Sequence, residues 1–250
     1  MRVATYNIRN GRAIDPSSFW WARRRSLAAV IDRIDADIWA FQEAYDFQRR
    51  YIRRRVLAGE LWSDVGDGRN GGGRGEQVPI FFRRATLSAQ SDSTRWFGGS
   101  PDVPGSRQQG AAMPRIATSV ELVLPDDRVV QIVNLHLDHQ EAERRAASIS
   151  QLVEWFIDRR TPRPTIIMGD FNGPRTEDGF DALREAGMQS ALPDDAGPTS
   201  NGFGRRLDEQ HQIDHVFVSS DFVVRAATVD RSAGHASDHY PVVVDLDWRE

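Results

Sequence analysis

Asp170 and Asn172 close the run Pro164-Thr165-Ile166-Ile167-Met168-Gly169-Asp170-Phe171-Asn172-Gly173, where apolar and β-branched residues give way to a carboxylate and an amide. Their i, i+2 spacing puts both on one face of a strand. A carboxylate at the end of a buried strand needs partners that offset its desolvation, and such partners gather at sites. The other reading is a turn, for which Asp-x-Asn-Gly-Pro is suitable chemistry. The same transition recurs along the chain. Arg2 to Arg9 alternates and reaches Asn7, a cap or a ligand. Ile38-Trp39-Ala40-Phe41 ends in Gln42-Glu43, and the strand-like run Val129 to Leu137 finishes in Asn134-Leu135-His136-Leu137-Asp138-His139. In Gln212 to Val218, Asp214 points away from its apolar neighbours, and Ala236-Ser237-Asp238-His239-Tyr240-Pro241 offers an Asp and a His as an acid-base element before a terminal strand. His136 and Asp138 share a face and could pair on a metal; the alternative is a lone, satisfied histidine.

The chemistry of these groups is coherent. Asn, Glu and Asp oxygens suit Mg²⁺ or Mn²⁺, and the chain has no Cys for a thiolate site, a disulfide or a sulfur nucleophile. Histidines beside an Arg suit a phosphoryl group, where charge stabilisation dominates catalysis. All 32 basic residues are Arg, so a Schiff-base Lys, a phosphate-loop Lys and a Lys general base are excluded. A net charge of -4 argues against a protein whose affinity comes mainly from wrapping nucleic acid, though not against a nuclease with a local basic rim. No apolar run approaches membrane-spanning length, so the expectation is a soluble, cytoplasmic monomer with no membrane partner.

The elements that must position these groups follow from periodicity. The 250 residues suit one domain with one large core. Trp21, Leu27, Val30, Ile31 and Ile34 recur at helical spacing after Ser18, with Arg23, Arg24 and Arg25 expected on a solvated face. A second helix, Tyr45 to Ala58, carries Arg49, Arg50, Arg53, Arg54 and Arg55, either a solvated face or the flank of a polyanion. The segment Gly66 to Gly75 is too Gly-rich for regular structure, lacks the ending of a nucleotide phosphate loop, and reads as a mobile loop over the site. Glu76 follows it, before a strand from Val78 to Phe82. Trp96 to Pro114 reads as a long functional loop, Arg115 to Leu124 and Val129 to Leu137 as a hairpin, and Gln140 to Arg159 as an amphipathic helix. A short helix near Asp178 to Ala186, a polar connection to Arg206 and a last strand from Val242 to Leu246 complete the chain.

Thr5-Tyr6-Asn7-Ile8-Arg9, Phe41-Gln42-Glu43-Ala44, Asn134-Leu135-His136-Leu137-Asp138-His139, Gly169-Asp170-Phe171-Asn172, Ile213-Asp214-His215-Val216 and Ser237-Asp238-His239-Tyr240-Pro241 occur in an order that resembles the endonuclease/exonuclease/phosphatase superfamily, the deoxyribonuclease I-like proteins. The loop Ser100 to Ser106 and Pro114-Arg115 look like a bacterial branch whose substrates are mostly unassigned. The resemblance spans essentially the whole chain. It implies an α/β fold, a four-layer α/β/β/α sandwich of two packed mixed sheets, with the site at one end of the sheets. It also implies that Glu43 is the main ligand of Mg²⁺ or Mn²⁺, with Asn7 and Asp238 near it, while Asp170 and Asn172 position the attacking water. His239, oriented by Asp214, acts at the phosphate, and His136 and Arg115 hold the phosphoryl oxygens, with Glu76 supporting His136. The implied reaction is in-line attack of water on a phosphate ester without a covalent intermediate, with Asp170 and His239 both open as the proton acceptor.

The substrate divides the readings. A nuclease needs a basic groove and stacking aromatics, for which Arg49 to Arg55, Trp20, Trp21 and Trp96 are available. A small phosphodiester or phosphomonoester needs a closed pocket, which the loop around Trp96 to Ser106 could form, and this reading is preferred. A binding module on the same scaffold is the third reading.

Overall fold

The computed structural model describes residues 1–14, 18–157, 160–204 and 211–250; the expected helix end at Arg159 and the end of the polar connection at Arg206 lie outside them. Two six-stranded sheets carry the fold. The first is ordered β11 (Phe222–Val229), β12 (Val242–Trp248), β1 (Arg2–Asn7), β2 (Ile38–Gln42), β4 (Ile80–Arg83) and β3 (Trp62–Val65). The second is ordered β5 (Ser88–Trp96), β6 (Ile116–Val123), β7 (Val129–His136), β8 (Thr165–Asp170), β10 (Asp214–Val218) and β9 (Gln189–Ser190). Both are mixed: β1 pairs parallel with β2 and β7 with β8, and their other pairings are antiparallel.

Period-two alternation sorts each strand's side chains between two layers. Val3, Ile38, Ile80 and Val244 of the first sheet meet Val120, Ile132, Met168 and Val216 of the second in the core between the sheets. The alternate residues Tyr6, Trp39, Phe41 and Phe81 pack outward against Leu27, Val30 and Ile31 of α1 (Trp20–Ile34) and Ile52 of α2 (Asp46–Arg55). On the far side, Val133, Leu135, Ile167 and Phe217 pack against Ile149, Leu152 and Phe156 of α3 (Ala142–Phe156) and Leu183 of α4 (Asp181–Glu185). The result is the four-layer sandwich with helices outside both sheets.

Two expectations for the helices are corrected. Trp20, not Trp21, packs on the apolar side of α1, and Trp21 is 64% exposed. Arg23 is buried rather than solvated, because it follows Trp20 by one turn and precedes Leu27 by another, so its guanidinium is carried inward. There it donates to the carbonyls of Ser18, Ile8, Arg9 and Ala236, fastening the segment after β1 to the segment before β12.

One glycine is fixed by close approach. Gly169 lies opposite Leu135 in the β7/β8 pair with φ +150°, and a Cβ there would sit 2.2 Å from the Leu135 carbonyl oxygen. Gly169→Ala should therefore lower stability by on the order of 4 kcal/mol, read as a fall in the urea midpoint; a change within error would mean the two backbones can separate freely.

Candidate active site

The apolar-to-polar transition occurs at one end of both sheets, on the faces that meet. Val3, Thr5 and Asn7 run along the inner face of β1; Ile38, Ala40 and Gln42 along β2; Ile132, Asn134 and His136 along β7; Ile166, Met168 and Asp170 along β8; Val218, Val216 and Asp214 along β10. A buried amide pair separates the core from the site. Gln42 Nε2 donates across the sheets to Asn134 Oδ1 at 2.7 Å and to Thr5 Oγ1 at 2.9 Å, while Asn134 Nδ2 donates to the Phe41 and Pro79 carbonyls. Register then sets a row of three ionisable groups, since Asp170 lies opposite His136 on one side and Asp214 on the other.

Past the strand ends the chain turns sharply through left-handed residues, Arg9 (φ 55°), Glu43 (φ 59°) and Asn172 (φ 54°). Such backbone persists only where surrounding bonds hold it. Asn172 N donates to Asp170 Oδ1 and its Nδ2 to the Leu137 carbonyl; Asn10 N donates to Glu43 Oε2 at 2.6 Å. Asn7 sits between two carboxylates, its Nδ2 donating to Glu43 Oε1 at 3.1 Å and Asp170 Oδ2 at 2.8 Å, while its Oδ1 accepts from Arg9 N. Asp238 accepts from Ser237 Oγ and lies 3.3 Å from the Arg9 guanidinium. Glu76 accepts from Asn10 Nδ2 at 2.8 Å and Arg69 Nη1 at 2.6 Å.

The electrostatics separate the ionisable groups into distinct states. His239 Nδ1 lies 2.8 Å from Asp214 Oδ2 and its Nε2 lies 3.9 Å from Asp170 Oδ2. Burial works against its charge, but Asp214, Asp170 and Asp238 outweigh it and hold His239 well above the ordinary imidazole value, which favours the protonated ring. His136, 3.6 Å from Asp170, is pushed well below that value by burial and by Arg115 and Arg69, so it is neutral. Burial and Asp214 raise Asp170 to about 7. Burial also raises Glu76 and Asp238, and in each case the Glu43 charge adds to the rise. Arg115 is 5% exposed, with Nη2 2.8 Å from His139 Nδ1 and Nε buried without a partner. A buried cation with a spare donor is what an incoming phosphate oxygen would satisfy.

Among the described residues one cluster brings three candidate ligand atoms together. Asp170, Asp214 and His239 present donor atoms within 4.8 Å of one another, but a metal among them would have to displace the hydrogen bond between Asp214 and His239. Glu43 and Asp170 are bridged by the Asn7 Nδ2 donor, with the Glu43 charge acting on Asp238, so a cation there would have to displace the Asn7 hydrogen bonds. The mutual repulsion of Glu43 with Asp238 and Glu76 is what a divalent ion would relieve.

The model of the Endonuclease/Exonuclease/phosphatase family matches residues 4–239, from β1 to His239. The chain belongs to that family. Members of the endonuclease/exonuclease/phosphatase family are hydrolases acting on phosphate esters. Solved structures agree across the whole length. The endonuclease/exonuclease/phosphatase from Bacteroides vulgatus is 26% identical with a TM-score of 0.90, over 99% of this chain and 98% of that one. A family protein from Bacteroides thetaiotaomicron is 28% identical with a TM-score of 0.86, over 98% and 97%. A mannosyl-6-phosphatase from the same species is 28% identical with a TM-score of 0.85, over 99% and 100%. A search of curated proteins found no match.

Of the residues singled out in the sequence, Asn7, Glu43, His136, Asp170, Asn172, Asp214, Asp238 and His239 converge at this end of the family fold, with Glu76 and Arg115 at its edge. Asp138 does not pair with His136. It lies beyond β7 and accepts from the Gln140 and Glu141 N–H groups ahead of α3, which keep it below the usual carboxylate range against the effect of burial. The Gly-rich loop is tied together by Asp67, which accepts from the Gly68, Gly72 and Gly73 N–H groups. Trp96, offered for stacking, is buried with Nε1 donating to the Arg69 carbonyl, and Trp20 is buried too. Arg49 turns inward to Asp64, the Gly66 carbonyl and Gln77. Sequence reasoning missed Asn10, Arg69 and Arg9, loop residues with no periodic signal beyond the Asn-Gly turn at Asn10.

His215 belongs to the core. Its Nε2 donates to the Gly173 carbonyl at 2.9 Å, its ring packs against Phe171, Phe180 and Phe217, and burial lowers its pKa to about 4. An unfolded His takes a proton near 6.5 and the folded one resists it, so stability is full above that pH and declines as pH falls from 6.5 toward 4. The expected loss is about 2 kcal/mol by about pH 5. Urea titrations of His215→Phe should show a flatter pH profile than wild type; equal slopes would assign the acid loss to other groups.

Proposed function

We propose that this protein is a Mg²⁺- or Mn²⁺-dependent phosphoesterase that hydrolyses a small phosphomonoester or phosphodiester by in-line attack of water. The observation that carries the reading is the meeting of His239, bonded to Asp214, and a buried, incompletely paired Arg115 with the carboxylates around Glu43. That is a place for a phosphoryl group between cations and a bound metal. Glu43 would hold the ion, with Asp238 and the Asn7 amide beside it. When bound, the ion supplies positive charge to the phosphoryl and leaving oxygens.

The remaining steps fall to this chain's own side chains. Asp170, aligned by Asn7 and Asn172 N, holds the attacking water and accepts its proton as the new P–O bond forms. His239 is disfavoured as the acceptor because Asp214 keeps it protonated; its Nε2–H instead stabilises charge on the phosphoryl oxygens. His136, Asn172 and Arg115 hold those oxygens. The P–O bond opposite the water breaks, and the departing alkoxide takes a proton from solvent. The 28% identical mannosyl-6-phosphatase supports a small monoester.

One observation favours a nuclease instead. Arg50, Arg53, Arg54 and Arg55 face outward on α2, with Arg24 over Trp21 and Tyr51 nearby. Burial of Trp20 and Trp96 and the inward turn of Arg49 remove much of that surface, so the small ester is preferred. Turnover in water enriched in the heavy oxygen isotope tests the chemistry. The label should enter the phosphate product and not the alcohol; label in the alcohol would refute attack at phosphorus.

A further inference from the structure

Three segments have two sides. Residues 10–12, 43–47 and 74–76 present Asn10, Glu43 and Glu76 to the acidic centre, and on their other side they line a groove of about 480 Å³ with Arg12, Tyr45, Asp46, Phe47, Arg50 and Arg74. Its size is that of a pocket for a small molecule. Asn10 ties the groove to the centre, since its N–H reaches Glu43, its Nδ2 reaches Glu76 and its Oδ1 accepts from Arg12 N. Gly11 N donates to Gln48 Oε1, and a Cβ on Gly11 would lie 2.7 Å from the Phe47 ring, so the turn is seated directly on the groove wall.

The charges there are unevenly satisfied. Asp46 is paired with Arg50 at 2.8 Å. Arg12 is laid over the Tyr45 ring at 4.5 Å, and Arg74 donates to the Gly71 and Asn70 carbonyls; among the described residues neither has a carboxylate partner. One guanidinium over an aromatic ring and a second lining the same groove, neither with a counter-charge among the described residues, match a ring that bears an anion. Direction follows from the reaction. In-line displacement puts the leaving oxygen opposite the water at Asp170, and Asn7 bonds both Asp170 and Glu43, whose chain continues into Tyr45 and Phe47 on the groove wall.

Resting on the phosphoesterase reading above, we propose that this groove is the subsite for the leaving alcohol and selects a ring-bearing alcohol with a second anionic group. Phe47 and Tyr45 contact the ring, and Arg12 and Arg74 bind the distal anion.

The test compares a hexose bisphosphate with the matching hexose monophosphate, and a nucleoside bisphosphate with its monophosphate, in wild type, Arg12→Ala/Arg74→Ala and Arg12→Lys proteins. In one series the bisphosphate should be favoured in kcat/KM by about tenfold or more, and the double alanine variant should lose that preference while monophosphate turnover stays within about twofold. Arg12→Lys should keep most of it. Which series shows the preference identifies the ring. No bisphosphate preference in wild type in either series, or equal loss on both partners of a pair, overturns the subsite. Binding of the hexose or nucleoside monophosphate, the anionic alcohols left after hydrolysis, is followed by calorimetry and needs no turnover. Weakening of that binding by the alanine variant supports the groove even if every ester resists hydrolysis, in which case the phosphoesterase reading alone fails. Binding untouched by the variant in both series overturns the groove.

Discussion

His239→Ala should lower kcat by about three orders of magnitude with KM changed far less, because the cation it supplies acts on charge that develops at the phosphoryl group in the transition state. His239 is held at 2.8 Å by Asp214, a carboxylate whose Oδ1 is buried without another partner. Asp214→Asn keeps the shape but withdraws the charge that keeps the imidazole protonated, so it should cost a comparable factor. Residues that act as a unit are non-additive, and the double variant should be little worse than either single one. Loss of the imidazole also strands a buried Asp214, at a stability cost on the order of 3 kcal/mol, so circular dichroism and thermal midpoints must accompany the kinetics. Multiplicative losses in the double variant would mean that Asp214 and His239 work independently.

Glu43→Gln should nearly abolish turnover at ordinary Mg²⁺ concentrations. The amide retains an oxygen toward Asn10 N, but it lacks the charge that would hold the ion and turns an NH2 toward the Asn7 Nδ2 donor. Wild type should gain on the order of 5 °C in thermal midpoint from Mg²⁺ at a hundredfold excess over its dissociation constant, since binding to the folded state alone adds about 2.7 kcal/mol. The variant should gain little at the same concentration. A variant as responsive to Mg²⁺ as wild type would move the ion to another donor set, with Asp170, Asp214 and His239 the first to examine.

The site was legible where a strand's inner face changed from apolar to polar. Ile166, Met168 and Asp170 announce such a change, as do Ile38, Ala40 and Gln42, because side chains two apart share a face whatever the tertiary context. The central strands were legible for the same reason. The strands absent from the sequence reading, β3, β5, β9 and β11, form the outer edges of the two sheets. Half-solvated edges need no apolar run, and β5, Ser-Ala-Gln-Ser-Asp-Ser-Thr-Arg-Trp, is mostly exposed. Arg23 was misjudged by composition although its spacing from Trp20 and Leu27 already put it on the buried side of α1. Arg145 repeats the case on α3, one turn before Ile149, where it bonds Glu177 and the Asp138 carbonyl. Asn10 and Arg69 could not be read in advance, because their partners Glu43 and Glu76 meet them only once separate loops have been folded together.

The most direct measurement is phosphate release by metal-stripped protein from monoester and diester panels, with Mg²⁺ or Mn²⁺ added back and with His239→Ala and Glu43→Gln as controls. The account predicts turnover of small esters by wild type that appears only on adding the ion, and that both substitutions suppress. Turnover that persists in excess chelator, or that survives both substitutions, would contradict it.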